Sequence, residues 1–368
     1  MESSRAWVAT RKGLFELRRR ANAWAVERVS FLGEPVSMVL PPQPSGRMLS
    51  ALNLGHFGVK LHASDDAGAS WHELPAPVYP KQPEGEPAGG VAWKLVQIWA
   101  LEASPESSPG AADAALWAGT LPGGLFRSGD DGESWRLVEA LWNQPGRAEW
   151  FGGGYDVPGI HSICPHPTRP GELLVGISCG GAWVSRDDGA SWQLQADGMH
   201  AAYMPPDQAE NPNTQDPHRI VRSPAQPDVL WCQHHNGIWR STDNARSWHE
   251  ISGAPLSSFG FAVAAHPQQA DTAWFVPGVA DQQRVPVGGA LVVNRTRDGG
   301  RSFETLRVGL PQADCYDLVY RHGLAVDARG QGLLMGSTTG SLWASDDGGD
   351  RWQAVAQHLP PIHAVRFG

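Results

Sequence analysis

Ser128-Gly-Asp-Asp-Gly-Glu-Ser-Trp135 is one copy of a phrase that returns along the whole chain. It recurs cleanly as Ser64–Trp71 (SDDAGASW) and Ser185–Trp192 (SRDDGASW). With one or two changes it recurs at Ser241–Trp248 (STDNARSW), Thr296–Phe303 (TRDGGRSF) and Ser345–Trp352 (SDDGGDRW). A fixed phrase returning roughly every 50–60 residues marks a repeat architecture and outranks any local signal. Locally, Asp and Gly suit a tight turn, Ser or Thr bonds back to the backbone, and the closing aromatic anchors the turn to a core. Strand-like runs flank each copy, such as GLFR before and RLVE after the Ser128 copy. Each phrase is therefore expected to be the turn of a β-hairpin.

Working outward, each repeat reads as four strands: an inner strand often ending in Pro, an apolar second strand, a third leading into the phrase and a fourth leaving it. Residues 5–30 supply three strands (WVATR, GLFELRR, AVERVS), with Trp24 where the aromatic belongs but no phrase. Residues 361–367 supply an inner strand with no blade following it. The simplest reconciliation is closure, with the C-terminal strand completing the first sheet so that no strand edge stays open. The count is then seven blades.

The phrase is the Asp-box, and the chain resembles the BNR/Asp-box repeat β-propellers, which include sialidases, sortilin-like domains and photosystem assembly factors. The resemblance implies an all-β, seven-bladed β-propeller with Asp-box turns, a single domain over residues 1–368. It implies little about activity, and it points away from a true sialidase. Sialidases need three arginines on the substrate carboxylate, a Tyr–Glu pair and an acid Asp; they carry a Phe-Arg-Ile-Pro-like stretch and have six blades. No such stretch occurs here, and Arg219, Arg222, Arg321 and Arg366 form no recognisable triad.

Composition bounds the partners. The formal charge is −9 with no Lys/Arg block, which argues against nucleic acid. No segment approaches the ~18 apolar residues that span a membrane, and the N-terminus enters a strand without an apolar signal region. The four cysteines, Cys164, Cys179, Cys232 and Cys315, show no paired framework, so a reduced cytoplasmic protein with buried thiols is expected. It is expected as a monomer or small homo-oligomer. The cluster Arg18–Arg20 is expected to be solvated at a hairpin turn.

Longer segments interrupt the rhythm at about 76–94, 142–159, 198–217 and 278–289, all at blade ends opposite the repeated turns. Insertions gathered on one rim mark the expected binding face. Aligning the seven inner strands there gives a column: Val36, Trp99, His161, His218, Phe261, His322 and His363. Histidine fills four of seven positions although the chain has only 14. Neutral imidazole is the commonest transition-metal ligand, so His161, His218, His322 and His363 are candidate ligands for Fe, Mn, Cu, Zn or Ni. Glu102 could orient one of them. Neighbouring loops add Tyr155, Asp156, His56 and His235 as candidate catalytic groups. Trp99, Phe261, Tyr203 and Arg11 are candidates for binding a small organic substrate. Cys179, His234, Asp216, Tyr316 and Asp317 reach the same rim. The function expected is a metal-dependent enzyme, whether oxygenase, lyase or hydrolase. A non-catalytic ligand- or protein-binding propeller is the alternative, in which the histidines bond neighbouring backbone carbonyls. A glycoside hydrolase using Asp156 with Asp216 or Asp317 is the third.

Overall fold

Each repeated phrase closes on itself through the same set of hydrogen bonds. In the copy at 185–192, the Ser185 hydroxyl donates to Asp187 Oδ1 (2.9 Å) and accepts from the Gly189 N–H (2.8 Å). The Asp187 carboxylate in turn accepts from the Ser191 N–H (2.8 Å) and hydroxyl (2.5 Å). The first-position hydroxyl residue is buried in all six copies: Ser64, Ser128, Ser185, Ser241, Thr296 and Ser345. The two residues after the Asp lie in the left-handed region, as at Asp188 (φ 58) and Gly189 (φ 87). Two successive residues of positive φ match the twist of the flanking strands, which is why Gly or a small or Asx residue stands there.

In the computed structural model, which describes residues 3–21, 23–84, 91–105 and 115–368, these turns organise seven four-stranded antiparallel sheets. The fold is a seven-bladed β-propeller. In blade 1 the strand order is Ile362–Phe367, Arg5–Thr10, Gly13–Arg20, Ala23–Ser30, so the C-terminal strand completes the N-terminal sheet as its sequence pattern requires. The other six blades run in chain order, their inner strands starting at Val36, Gln97, Ile160, Pro217, Gly260 and Leu324. No helix among the described residues is long and apolar enough to cross a membrane. Of the long segment at 76–94, residues 85–90 lie outside the described residues.

The chain forms two compact units. The first, 1–36, 196–211 and 217–368, holds blades 1, 5, 6 and 7; the second, 37–195 and 212–216, holds blades 2, 3 and 4. Within the first, Trp274, Trp343, Trp352 and Met335 pack in one buried cluster, and Trp231 with Phe275 in another. Within the second, Trp117, Trp183, Trp192 and Val175 fill the core. Arginines on or beside the strands reach acids of the following blade. Arg127 meets Asp188 at 2.6 Å and Arg47 meets Glu133 at 3.0 Å in the second unit. Arg295 meets Asp350 at 2.6 Å and Arg240 meets Asp271 in the first. The Arg18–Arg20 cluster is not simply solvated. Arg19 pairs with Asp346 (2.8 Å) and Arg20 with Glu27 (2.5 Å), because acids lie opposite each of them. All four cysteines are free and buried.

Five of the inner strands share a departure from regular pairing. Strand register shifts between Ile98 and Ala100, Ile160 and Ser162, Pro217 and Arg219, and Gly260 and Val263. In blade 1, Ala9 pairs Ala364 while Thr10 pairs Ile362. The skipped residues include Trp99, His161, His218, Phe261 and His363. A β-bulge leaves its extra residue outside the ladder and re-aims its side chain.

Two outcomes test the turn. Ser185→Ala strands the buried Gly189 N–H and is expected to cost about 1–3 kcal/mol in urea unfolding, with the fold retained. Hydrogen bonds from Ser70, Ser134, Ser191 and Ser302 hold Asp66, Asp130, Asp187 and Asp298 below the ordinary carboxylate range, Asp298 at about 2. At Asp243 burial pushes upward, but donation from Ser247 and Ser241 outweighs it. Carboxylates with a depressed folded value stabilise fully above their unfolded pKa of about 3.9, and that stability is lost as pH falls toward the folded value. Unfolding midpoints should therefore drop between about pH 4 and pH 2, and Asp187→Asn should shallow the slope.

Candidate functional site

His218 sits at its bulge directly after Asp216-Pro217, and its buried ring stacks on Phe261 (centroids 4.4 Å, interplanar 13°). Its Nδ1 lies 2.6 Å from the Gly260 carbonyl oxygen. A carbonyl only accepts, so Nδ1 carries the proton and Nε2 of the neutral ring keeps its lone pair.

His235 comes from the turn between strands Leu230–His234 and Gly237–Ser241. Its neighbour His234 turns back, accepting the Asn236 N–H on Nδ1 (3.1 Å). His235 meets His218 (5.3 Å), Tyr203 (4.9 Å) and Phe259 (5.9 Å) edge to face. The Ala202 N–H donates to Asn236 Oδ1 (2.8 Å), which ties the Tyr203 loop to the His235 turn. Asp216 accepts the Cys179 N–H (3.2 Å), and Gly153 approaches it so closely that a Cβ there would stand 2.9 Å from Oδ1. His218 and His235 both belong to the first unit, and their two imidazoles together could offer nitrogen ligands to a metal ion.

The remaining column histidines have other surroundings. His363 Nδ1 donates to the Val36 carbonyl (2.9 Å). Burial lowers the His363 pKa, the Val36 bond works against this, and the charge of Arg11 lowers it further. His322 Nδ1 accepts from Arg366 (3.3 Å), so its neutral ring carries the proton on Nε2, the opposite tautomer to His218. In the second unit His161 Nδ1 meets Ser162 Oγ (2.9 Å), and its ring abuts Trp99 (5.3 Å). Trp99 also abuts Tyr155 (5.1 Å), whose hydroxyl donates to Gln97 Oε1 (3.4 Å). Gly159 is a close approach, since a Cβ there would stand 2.6 Å from the Trp99 ring. His56 is exposed on the short turn Gly55–Phe57 with its ring against Phe57, and Asp156 and Arg11 are exposed.

Of the residues singled out in the sequence, the structure thus gathers His218, His235, Tyr203 and Phe261 in the first unit, and Trp99, Tyr155 and His161 in the second. Phe259 and Gln97 were not foreseen. The triplet Phe259-Gly-Phe261 is a signal for the first of these; nothing in the sequence marks the second.

No protein family and no curated protein matches this chain. Solved structures do. The chain is similar to the GH74 xyloglucanase from Xanthomonas campestris, with TM-score 0.64 and 18% identity over 97% of this chain and 53% of that one. It is similar to an ancestral GH74 enzyme (0.59, 16%, 99% and 40%) and to YCF48 bound to D1 peptide (0.56, 15%, 94% and 90%). The chain spans about half the length of the xyloglucanase. Likeness at these identities is likeness of fold: a β-propeller.

The buried environment of His363 has a measurable sign. Its NMR titration midpoint is expected below about 6.5, the ordinary histidine value. A folded value below the unfolded one stabilises above about pH 6.5, and that stability is lost as pH falls through the folded value. His363→Gln should reduce the stability lost between pH 6.5 and 5, read by urea unfolding at each pH.

Proposed function

We propose that this chain is a metal-dependent enzyme acting on a small organic substrate, with His218 and His235 as metal ligands. The observation that carries the reading is the approach of these two imidazoles, whose ring centroids lie 5.3 Å apart. Imidazole nitrogens are donors for Fe, Mn, Zn and related ions, and two of them leave coordination positions open. The bond from His218 Nδ1 to the Gly260 carbonyl is the kind of outer contact that fixes a ligand's tautomer and orientation. A bound ion would supply Lewis-acid polarisation or activate a small molecule at the open positions. The chain's own residues do the rest: Phe259 and Phe261 wall the imidazoles with apolar surface, and Tyr203 covers His235. His235 is then a ligand rather than a general base, while His161, His322 and His363 stand outside the ligand set.

A second reading is a binding or assembly propeller. It is favoured by large apolar side chains left exposed at loops, Phe57 (79%) and Tyr316 (66%) among them. The YCF48 structure, which holds a peptide, matches over nearly its whole length. Glycoside hydrolysis, the activity named for the GH74 neighbours, gains little from Asp317. Burial pushes its pKa up, but hydroxyls of Ser337 and Thr339 hold it below the ordinary range, the wrong direction for a general acid.

Elemental analysis of the purified protein, with Mn(II) and Zn(II) titrations, tests the assignment. Wild type is expected to bind one ion. His218→Ala and His235→Ala should each weaken binding by more than about 100-fold, beyond the loss typical of an outer contact, and His161→Ala should leave it unchanged. A folded wild type that binds neither ion overturns the reading in favour of the binding propeller.

A further inference from the structure

Blade 1 differs from the other six at its periphery. Its outer strand, Ala23–Ser30, is eight residues long, whereas the outer strands of blades 2 to 7 have two to four. Among the described residues its strand partner is Gly13–Arg20, on one side only. A long edge strand presents a row of backbone donors and acceptors that a further strand can pair. The register shifts between Glu16, which pairs Arg28, and Leu17, which pairs Val26, so Glu27 is the extra residue of a bulge. The edge therefore has two unlike faces. Trp24, Val26 (43% exposed) and Val29 (37%) share one; Ala25 and Arg28 share the other.

The second face is cationic. Glu16 is buried there, and Arg5 donates to its Oε1 through Nε (2.9 Å) and Nη2 (2.6 Å). Arg18 and Arg28 approach the same carboxylate at 3.9 and 3.4 Å, each with its side chain 38% exposed. Glu16 is the one acid paired with either of them among the described residues. Three guanidiniums thus share one carboxylate. Arg5 and Arg18 stand directly opposite each other in register, where like charges repel. Ala25 is next in that row, so a strand added outside the edge would lie about 10 Å from Arg18 with only a methyl group between. Residues 1–36 carry a net charge of +3 in a chain whose formal charge is −9. Charges on an edge ordinarily keep other strands off. Here the acid of the edge, Glu27, is already taken by Arg20 (2.5 Å). The charge that remains is of one sign, so it repels a second cationic edge and attracts an acidic one.

We propose that blade 1 binds an extended acidic peptide as a fifth strand along residues 23–29. Its alternate carboxylates meet Arg28 and Arg18, and the apolar side chains between them meet Val26 and Val29. The site belongs to one blade and does not depend on the metal reading. A fluorescein-labelled heptapeptide of alternating Glu and Val tests it by anisotropy, with an alternating Lys and Val peptide as control. The Glu peptide is expected to bind at least tenfold more tightly than the Lys peptide and to protect residues 23–29 from hydrogen exchange. Arg18→Gln and Arg28→Gln should each weaken it about fivefold, and the double variant more than tenfold. The same Glu peptide N-methylated at every residue keeps its charges but has no N–H to donate, and should bind at least tenfold less tightly. That arm uses the wild type, so it holds even where an arginine variant fails to fold. Equal binding of the Glu and Lys peptides, wild-type affinity in folded arginine variants, or undiminished binding of the N-methylated peptide overturns the proposal. Concentration-dependent protection of residues 23–29 without peptide binding assigns the edge to a second copy of the chain, and overturns it too.

Discussion

At the head of five inner strands the backbone carries a residue that the partner strand does not pair. A ladder cannot absorb that residue, so its side chain leaves the alternation of the sheet. Trp99 and His161 meet ring to ring, as do His218 and Phe261, and His363 reaches the carbonyl of Val36. The contacts run sideways, from one blade to the next. Without the bulge, His218 would hold its place in the strand alternation, facing one side of its own sheet. With it, the ring reaches the Gly260 carbonyl of blade 6, and that single bond decides which nitrogen keeps its lone pair.

The repeated turn supplies what the bulge needs, a sheet stiff enough to hold an irregular strand. A buried hydroxyl, a carboxylate satisfied by serine donors and a pair of positive-φ residues make each turn self-contained. Its acid looks catalytic by type, but both of its oxygens already accept hydrogen bonds within the turn itself. The inter-blade arginines add a second restraint at the same ends of the sheets, where Arg295 and Arg127 reach across to acids of the next blade. Rigidity and chemistry are thereby separated: turns at one end of every blade, variable loops at the other.

That separation explains what could be read from residues alone. The turn is local, so six copies of one phrase disclosed the hairpins, the blade count and the closure by residues 361–367. The column of inner-strand residues was legible too, because alignment to a terminal Pro is also local. Direction was not. Nothing in Ile-His-Ser or Pro-His-Arg announces a bulge, and nothing in four similar histidines distinguishes the tautomer of His218 from that of His322. Those differences come from Gly260 and Arg366, partners that lie 42 and 44 residues away in the chain.

The comparison of His218 with His322 carries the last step. Both are buried; His218 lies at the head of its inner strand, and His322 lies just before the one that starts at Leu324. A carbonyl opposite Nδ1 makes the first a lone-pair donor at Nε2; a guanidinium opposite Nδ1 makes the second a proton donor there. Equivalent positions in a repeat therefore acquire opposite chemistry from the single group that the next strand presents. A propeller that places the same residue type at several blade heads need not build a symmetric centre. It can set a lone-pair donor at one blade and a hydrogen-bond donor at another, as His218 and His322 do here.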